Sequence, residues 1–173
     1  MVAIAFTNHT LTPLRPWTAD ISIISPQNTC SIDNSILEKL EKNPIVNAAY
    51  GRMFSYDVPT TVNDDSVTLD IISYEQKQFD WAKDYLLQGS IKVVQNEVNT
   101  GLIVYSPENN IEVGDTVNCR IGEKSTEIQI VGILSDCPFN TTSNGILICS
   151  ENTFQKITGQ NEYTVIDIQL DKN

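Results

Sequence analysis

Four cysteines, one histidine and 22 Asp+Glu are the side chains here that could carry chemistry. Cys30, Cys119, Cys137 and Cys149 never stand in a C-x-x-C spacing, which removes the zinc-ribbon and thioredoxin patterns. Cys119 and Cys149 lie inside apolar stretches and read as buried small hydrophobes. Cys30 and Cys137 lie in loop-like sequence, where a disulfide stays open and the redox compartment with it. A Ser-His-Asp or Cys-His relay would depend wholly on His9, in a polar segment near the start of the chain. No G-x-S-x-G, H-E-x-x-H or G-x-x-x-x-G-K-[ST] motif occurs. A transition-metal site would have to be built from carboxylates alone, a poor ligand set for such ions. The sequence therefore assigns no catalytic, cofactor or metal residue, and the expectation is that the chain is not an enzyme.

The remaining local signals are weaker. Asp64-Asp65 offers oxygen ligands to a hard cation, but a calcium loop needs more of them at set spacing, and Asn63-Asp64-Asp65-Ser66 reads more simply as a turn. A glycosidase needs two carboxylates flanking a sugar bond, and nothing selects a pair. Asn8-His9-Thr10 and Asn140-Thr141-Thr142 fit the N-x-[ST] triplet, a pattern that arises often by chance. Trp81 and Tyr85, four residues apart beside Phe79, Ala82 and Leu86, either extend a buried helical stripe or form an interaction surface.

The chain has 173 residues and a net charge of −11, enough length for one ordinary domain or two small subdomains sharing a core. Its 11 Lys+Arg are scattered, which argues against nucleic acid and against a polybasic membrane contact. Apolar residues are spread along the whole length, so disorder is not expected. No stretch approaches the roughly 18–20 apolar residues of a membrane helix. Met1–Phe6 is apolar without the basic flank of a signal peptide. It reads as a first strand, as an artificial start, or as the outer end of a membrane helix otherwise missing.

Alternation of apolar and polar residues predicts strands at 20–24, 45–56, 66–72, 102–105, 116–121, 126–134, 145–149 and 163–170. In 66–72, Val67, Leu69 and Ile71 face the core while Ser66, Thr68 and Asp70 face solvent. Three short helices are expected. Asp33 caps the first, which Pro44 stops; Ser73, with Gln76 as its capping-box partner, starts a second that runs through Phe79, Ala82 and Leu86 to Gly89; Ser150 starts a third that ends at Gly159. Hairpin turns are expected at 63–66 and 121–126. Gly114-Asp115 makes a tight turn into a strand, and Gly132 within an apolar strand marks a bulge or close backbone approach. Pro13, Pro16 and Trp17 form a stiff lead-in. The fold class is α+β, with mixed, largely antiparallel sheets and short helices on one side.

Several of these stretches belong together. Ala19-Asp20-Ile21-Ser22-Ile23, the Ser31-Ile32-Asp33 cap with Leu37, Leu40 and Pro44-Ile45-Val46, then Gly51-Arg52, Ile72-Ser73-Tyr74 with Phe79 and Leu86-Leu87-Gln88-Gly89 follow in order. Val113-Gly114-Asp115-Thr116-Val117 and Ile128-Gln129-Ile130-Val131-Gly132-Ile133-Leu134 complete the series. The pattern, over residues 18–170, resembles the extracytoplasmic MacB-like periplasmic core domain of FtsX-like ABC transporter permeases. The resemblance implies a membrane-proximal segment (1–17) and a core domain (18–173). It implies location on the extracytoplasmic face of the cell membrane, between two membrane helices of the permease, with an ABC ATPase subunit on the cytoplasmic side. The domain would couple ATP-driven helix motion to export or to an extracellular protein or peptide partner, with no cofactor and no nucleic acid. It would leave the chain an excised ectodomain, its segments near Pro16 and Lys172 emerging on one side. The short span between Gly89 and Val113 leaves no room for a large inserted subdomain. The competing expectation is a secreted or surface-anchored carbohydrate- or peptide-binding module, using Trp81 and Tyr85.

Overall fold

The computed structural model describes residues 3–6, 19–107, 109–139 and 141–171. In chain order the elements are β1 (Ala3–Phe6), β2 (Ile21–Ile24), α1 (Asn34–Glu41), β3 (Val46–Arg52), β4 (Phe54–Val62), β5 (Asp65–Tyr74) and α2 (Gln76–Ala82). There follow β6 (Leu86–Gly89), α3 (Ile91–Asn96), β7 (Thr100–Val104), β8 (Thr116–Ile121), β9 (Lys124–Leu134), β10 (Gly145–Ser150), α4 (Glu151–Thr158) and β11 (Val165–Leu170). Within the apolar start of the chain, Ala3–Phe6 forms strand β1. His9, Pro13, Pro16, Trp17, Asn140 and Lys172 lie outside the described residues.

The chain divides into two compact units, Met1–Phe54 with Asn161–Asn173, and Ser55–Gln160. The first carries a sheet in the order β1–β2–β11–β3, every neighbour antiparallel. Ile166 and Ile168 of its central strand β11 are buried, and α1 packs on β3 with Leu37 inward. Asp33 caps α1 as expected, its carboxylate accepting from the Ser35 amide at 2.8 Å. Hydrogen bonds from Ser35, the side-chain one foremost, hold the Asp33 carboxyl below its ordinary value.

The second unit carries the strand order β6–β9–β7–β10–β5–β4–β8, and β8 pairs again with β9. That extra pairing closes a ring of six strands. Closure follows from the length of β9, eleven residues, whose first half pairs with β8 and whose second half pairs with β7. The β7–β9 and β5–β10 pairings are parallel and the β7–β10, β4–β8, β8–β9 and β6–β9 pairings antiparallel, which makes the sheet mixed. Positions paired across strands share a face, so Leu69, Ile71, Leu147 and Cys149 point the same way, and all four are fully buried. Asn63 and Asp64, both at positive φ (49° and 68°), make the two-residue turn between β4 and β5. The β8–β9 turn is Gly122-Glu123.

Where the structure departs from the sequence reading, the reasons are local. The strand expected over 45–56 is two strands, parted at Met53. Ser73 is fully buried within β5 and is not the N-cap; the capping box lies two residues on, between Glu75 and Gln78, with Gln78 Oε1 accepting from the Glu75 amide at 2.8 Å. The second helix stops at Ala82, a single 3-10 turn follows, and Leu86–Gly89 is an edge strand on β9. Gly89 ends that strand at φ +92°, where an added Cβ would lie 2.1 Å from the Val131 carbonyl oxygen. Gly132 is the other half of this close approach, and the β7–β9 register shifts beside it, between Gly101 and Leu102. Helix α3 was not anticipated, because Ile91-Lys92-Val93-Val94 is rich in β-branched residues and its six residues are too few to show a helical period. The caps at Ser150, accepting from the Thr153 amide at 3.3 Å, and at Gly159 are as read.

Candidate functional site

The sheet of the first unit brings together two parts of the chain far apart in sequence. Strands β2 and β11 run antiparallel side by side, with Ile21 opposite Ile168. The Asp20 amide donates to the Ile168 carbonyl at 2.9 Å, and the Asp20 carboxylate accepts from the Leu170 amide at 2.8 Å. The chain thus enters β2 and leaves β11 at one end of the sheet. Strand β1 then runs back along the free edge of β2, with Phe6 opposite Ile21 and Ala3 opposite Ile24.

A buried charge pair fastens the same sheet. Arg52 of β3 pairs with Asp167 of β11, both almost wholly inaccessible, and the Ser22 hydroxyl donates to Asp167 Oδ1 at 2.5 Å. The three side chains come from three adjacent strands, so the pair ties them together across their hydrogen-bond ladders. Beside it the Tyr163 ring lies on Gly51, where a Cβ would approach the ring to 2.4 Å. Sequence reading found these strands but not the pair; its signal is one acid and one base, the sole charges of β11 and β3.

Trp81 and Tyr85 are both half-buried, Trp81 at the end of α2 and Tyr85 in the 3-10 turn that follows. The change of helix type takes them off a common helical face, since the 3.6-residue period no longer relates them. The Tyr85 carbonyl accepts from the Ser135 amide at 2.7 Å, and the Tyr105 amide donates to Leu134 at 2.8 Å, so both tyrosines flank the end of β9. Leu87, 62% exposed on edge strand β6, and Tyr105, 63% exposed, add apolar surface there.

Asp70, read as solvent-facing, is buried. Its carboxylate accepts from the Asp57 amide at 2.9 Å, from Ser143 Oγ at 2.9 Å and from Thr141 Oγ1 at 2.5 Å. With donors on both of its oxygens it anchors the 141–143 loop, and the Ser143 hydroxyl also lies 2.7 Å from Asp57 Oδ1. The signal for its burial was present: Ile72 and Tyr74 share its face of β5. All four cysteines are free thiols, with Cys119, Cys137 and Cys149 buried as Cys119 and Cys149 were expected to be. Burial pushes the thiols of Cys119 and Cys137 up to about 11 and that of Cys149 higher still. Thiols held neutral in this way are poor nucleophiles and poor metal ligands. Among the described residues no three His, Cys, Asp or Glu side chains gather as a metal site, and no helix is long and apolar enough to cross a membrane.

No protein-family model and no curated sequence relative matches the chain. Solved structures do. The extracellular domain of the noncanonic ABC-type transporter YknZ from Gram-positive bacteria superposes with a TM-score of 0.64 at 12% identity, over 83% of this chain and 75% of that one. The periplasmic region of MacB from Actinobacillus actinomycetemcomitans superposes with a TM-score of 0.60 at 18% identity, over 83% of this chain and 66% of that one. The fold is that of a MacB-like periplasmic domain. At such low identity the MacB-like likeness is one of backbone and topology, and it carries the α+β class and the mixed sheet read from the sequence. The roles of the residues described above are structural: Gly51, Gly89 and Gly132 for close approach, and Arg52 with Asp167 for the sheet of the first unit.

Proposed function

We propose that this chain is the non-catalytic extracytoplasmic domain of an ABC transporter permease, coupling ATP-driven motion of membrane helices to export or to an extracellular partner. The observation that carries the reading is the Asp20–Leu170 junction, where the chain enters β2 and leaves β11 side by side. A domain inserted between two membrane helices needs its two tethers at one end, so that a shift between the helices is delivered to adjacent strands. Strand β1 begins at the other end of β2, with Ala3 opposite Ile24, so a tether ahead of it has about 10 Å of extended chain to make up. A cytoplasmic ABC ATPase is the implied partner of the full-length permease. The face around Trp81, Tyr85, Leu87 and Tyr105 is the surface we assign to an extracellular protein or peptide.

The test is the coding sequence on either side, read with a hydropathy window, followed by co-purification of the full-length product with the ATPase encoded beside it. An apolar stretch of roughly 20 residues before Met1 and another after Asn173 is the expected result. A cleavable signal peptide upstream and a stop codon downstream would leave a secreted module, whose ligand would then be sought at Trp81 and Tyr85.

A further inference from the structure

In a chain with twice as many acids as bases, a groove of about 620 Å³ on the second unit has no carboxylate among its lining residues. It lies where β4, β5 and β8 meet, at the narrowest seam of the ring: β4 and β8 share only the pairs Thr60–Cys119 and Thr61–Asn118. Its single charge is Arg120, exposed on β8 and without an ion-pair partner among the described residues.

The other polar groups lean toward donation. Asn144 Oδ1 accepts from the Thr68 amide at 2.8 Å and from Thr68 Oγ1 at 3.2 Å. A backbone amide can only donate, so the atom of Asn144 that faces it must be oxygen, and the NH2 group is left for the groove. Asn118 Oδ1 is likewise occupied, by the Ser125 hydroxyl, which leaves its NH2 group over. Guanidinium and two carboxamide NH2 groups, with no carboxylate in the lining, match a ligand that presents acceptors; the nearest acid by register is Glu127, opposite Asn118 on β9. No aromatic side chain lines the groove to stack on a sugar ring. A neighbouring groove of about 610 Å³, sharing Asn118 and Ser125, adds Lys124 and Lys156, whose charges outnumber that of Glu127 there.

We propose that this groove binds the carboxylate or phosphate group of a small polar ligand, held by Arg120 and oriented by the NH2 groups of Asn118 and Asn144. The inference stands apart from the transporter reading. It is tested by adding, in separate titrations of the 15N-labelled protein, N-acetyl-alanyl-alanine, its C-terminal amide, glycerol 3-phosphate and glycerol. Saturable movement of the Asn118 and Asn144 side-chain resonances is expected with at least one of the two anions, and which one responds distinguishes carboxylate from phosphate. The matching neutral compound should bind roughly tenfold or more weakly, the loss of one charge-assisted hydrogen bond. Arg120→Gln should weaken the anion by a similar factor with the remaining spectrum unchanged. Asn118→Asp, which keeps an oxygen for Ser125 but sets a negative charge in the groove, should do the same. Absence of saturable shifts with both anions, equal binding of the neutral compounds, or binding undiminished in Arg120→Gln would overturn the proposal.

Discussion

The carboxylate of Asp20 accepts a hydrogen bond from the amide of Leu170 at 2.8 Å, closing a loop of 150 residues. With these positions so close, a permuted chain joining Asp171 to Ala19 through about four glycine and serine residues needs no rearrangement. With new ends opened at the Gly122–Glu123 turn, it should fold cooperatively with the circular dichroism spectrum of the parent. A chain that fails to fold, while one merely cut at that turn still folds, would show the junction to be misplaced.

Arg52 and Asp167 predict an asymmetry in stability. Arg52→Ala strands a buried carboxylate and should lower urea-unfolding stability by roughly 3–5 kcal/mol. Replacing both partners with apolar residues of similar volume, Arg52→Met with Asp167→Leu, should recover most of that loss, because no unpaired charge then remains. Equal damage from the single and double variants would argue that the pair is not buried as described.

Gly89 and Gly122 both sit at positive φ, and they should respond differently to alanine. At Gly122 a new Cβ meets nothing within 4 Å, so only the left-handed backbone term applies, about 1 kcal/mol. At Gly89 the same atom collides with the backbone of Val131 and Gly132, and roughly 2–3 kcal/mol should be lost. Thermal melts of the two variants in parallel read the difference directly.

The fold was legible where a local rule decides it. Ile128, Ile130 and Leu134 alternate inward as the period of two requires, and Asp33, Ser150 and Gly159 cap helices because their chemistry suits few other places. Ser73 misled because Ser is as good an N-cap as any, and only burial of β5 on both faces excludes it. Closure of the second sheet could not be read at all, since the β4–β8 seam rests on two pairs, Thr60–Cys119 and Thr61–Asn118, each joining residues far apart in sequence. The Asp20–Leu170 junction, the Arg52–Asp167 pair and the Arg120 groove share that character. Each is assembled from strands distant in sequence, and no spacing along the chain announces it.

Thiol chemistry gives a pH prediction with a definite sign. Cys119 and Cys137 have their pKa raised from 9.0 to about 11 by burial, so above about pH 9 the unfolded chain releases protons that the folded one retains. Stability should therefore be flat on this account below pH 9 and fall between pH 9 and 11. Substituting Ala for Cys137 should shrink that slope. At neutral pH a disulfide exchange reagent such as DTNB should modify Cys30, the partly exposed thiol, rapidly, and the other three only as fast as the protein unfolds.

Trp81 and Tyr85 predict a separation between binding and folding. Both are half-buried, and Tyr85 flanks the end of β9 with the exposed Leu87 and Tyr105, so Leu87→Ser with Tyr105→Ser should leave the melting temperature within a degree or two while weakening any partner docked there. Trp81→Ala should affect both, because part of its ring is packed.

The first unit is discontinuous, Met1–Phe54 completed by Asn161–Asn173, whereas the second is the unbroken stretch between. On the ribosome this fixes an order of events. Every strand of the six-membered ring has been synthesised by Ser150, but until β11, the last strand, emerges β3 has no strand partner and β2 has only β1. The inner unit is therefore the one that can fold while translation continues, and the half of the domain that receives the chain ends is finished last.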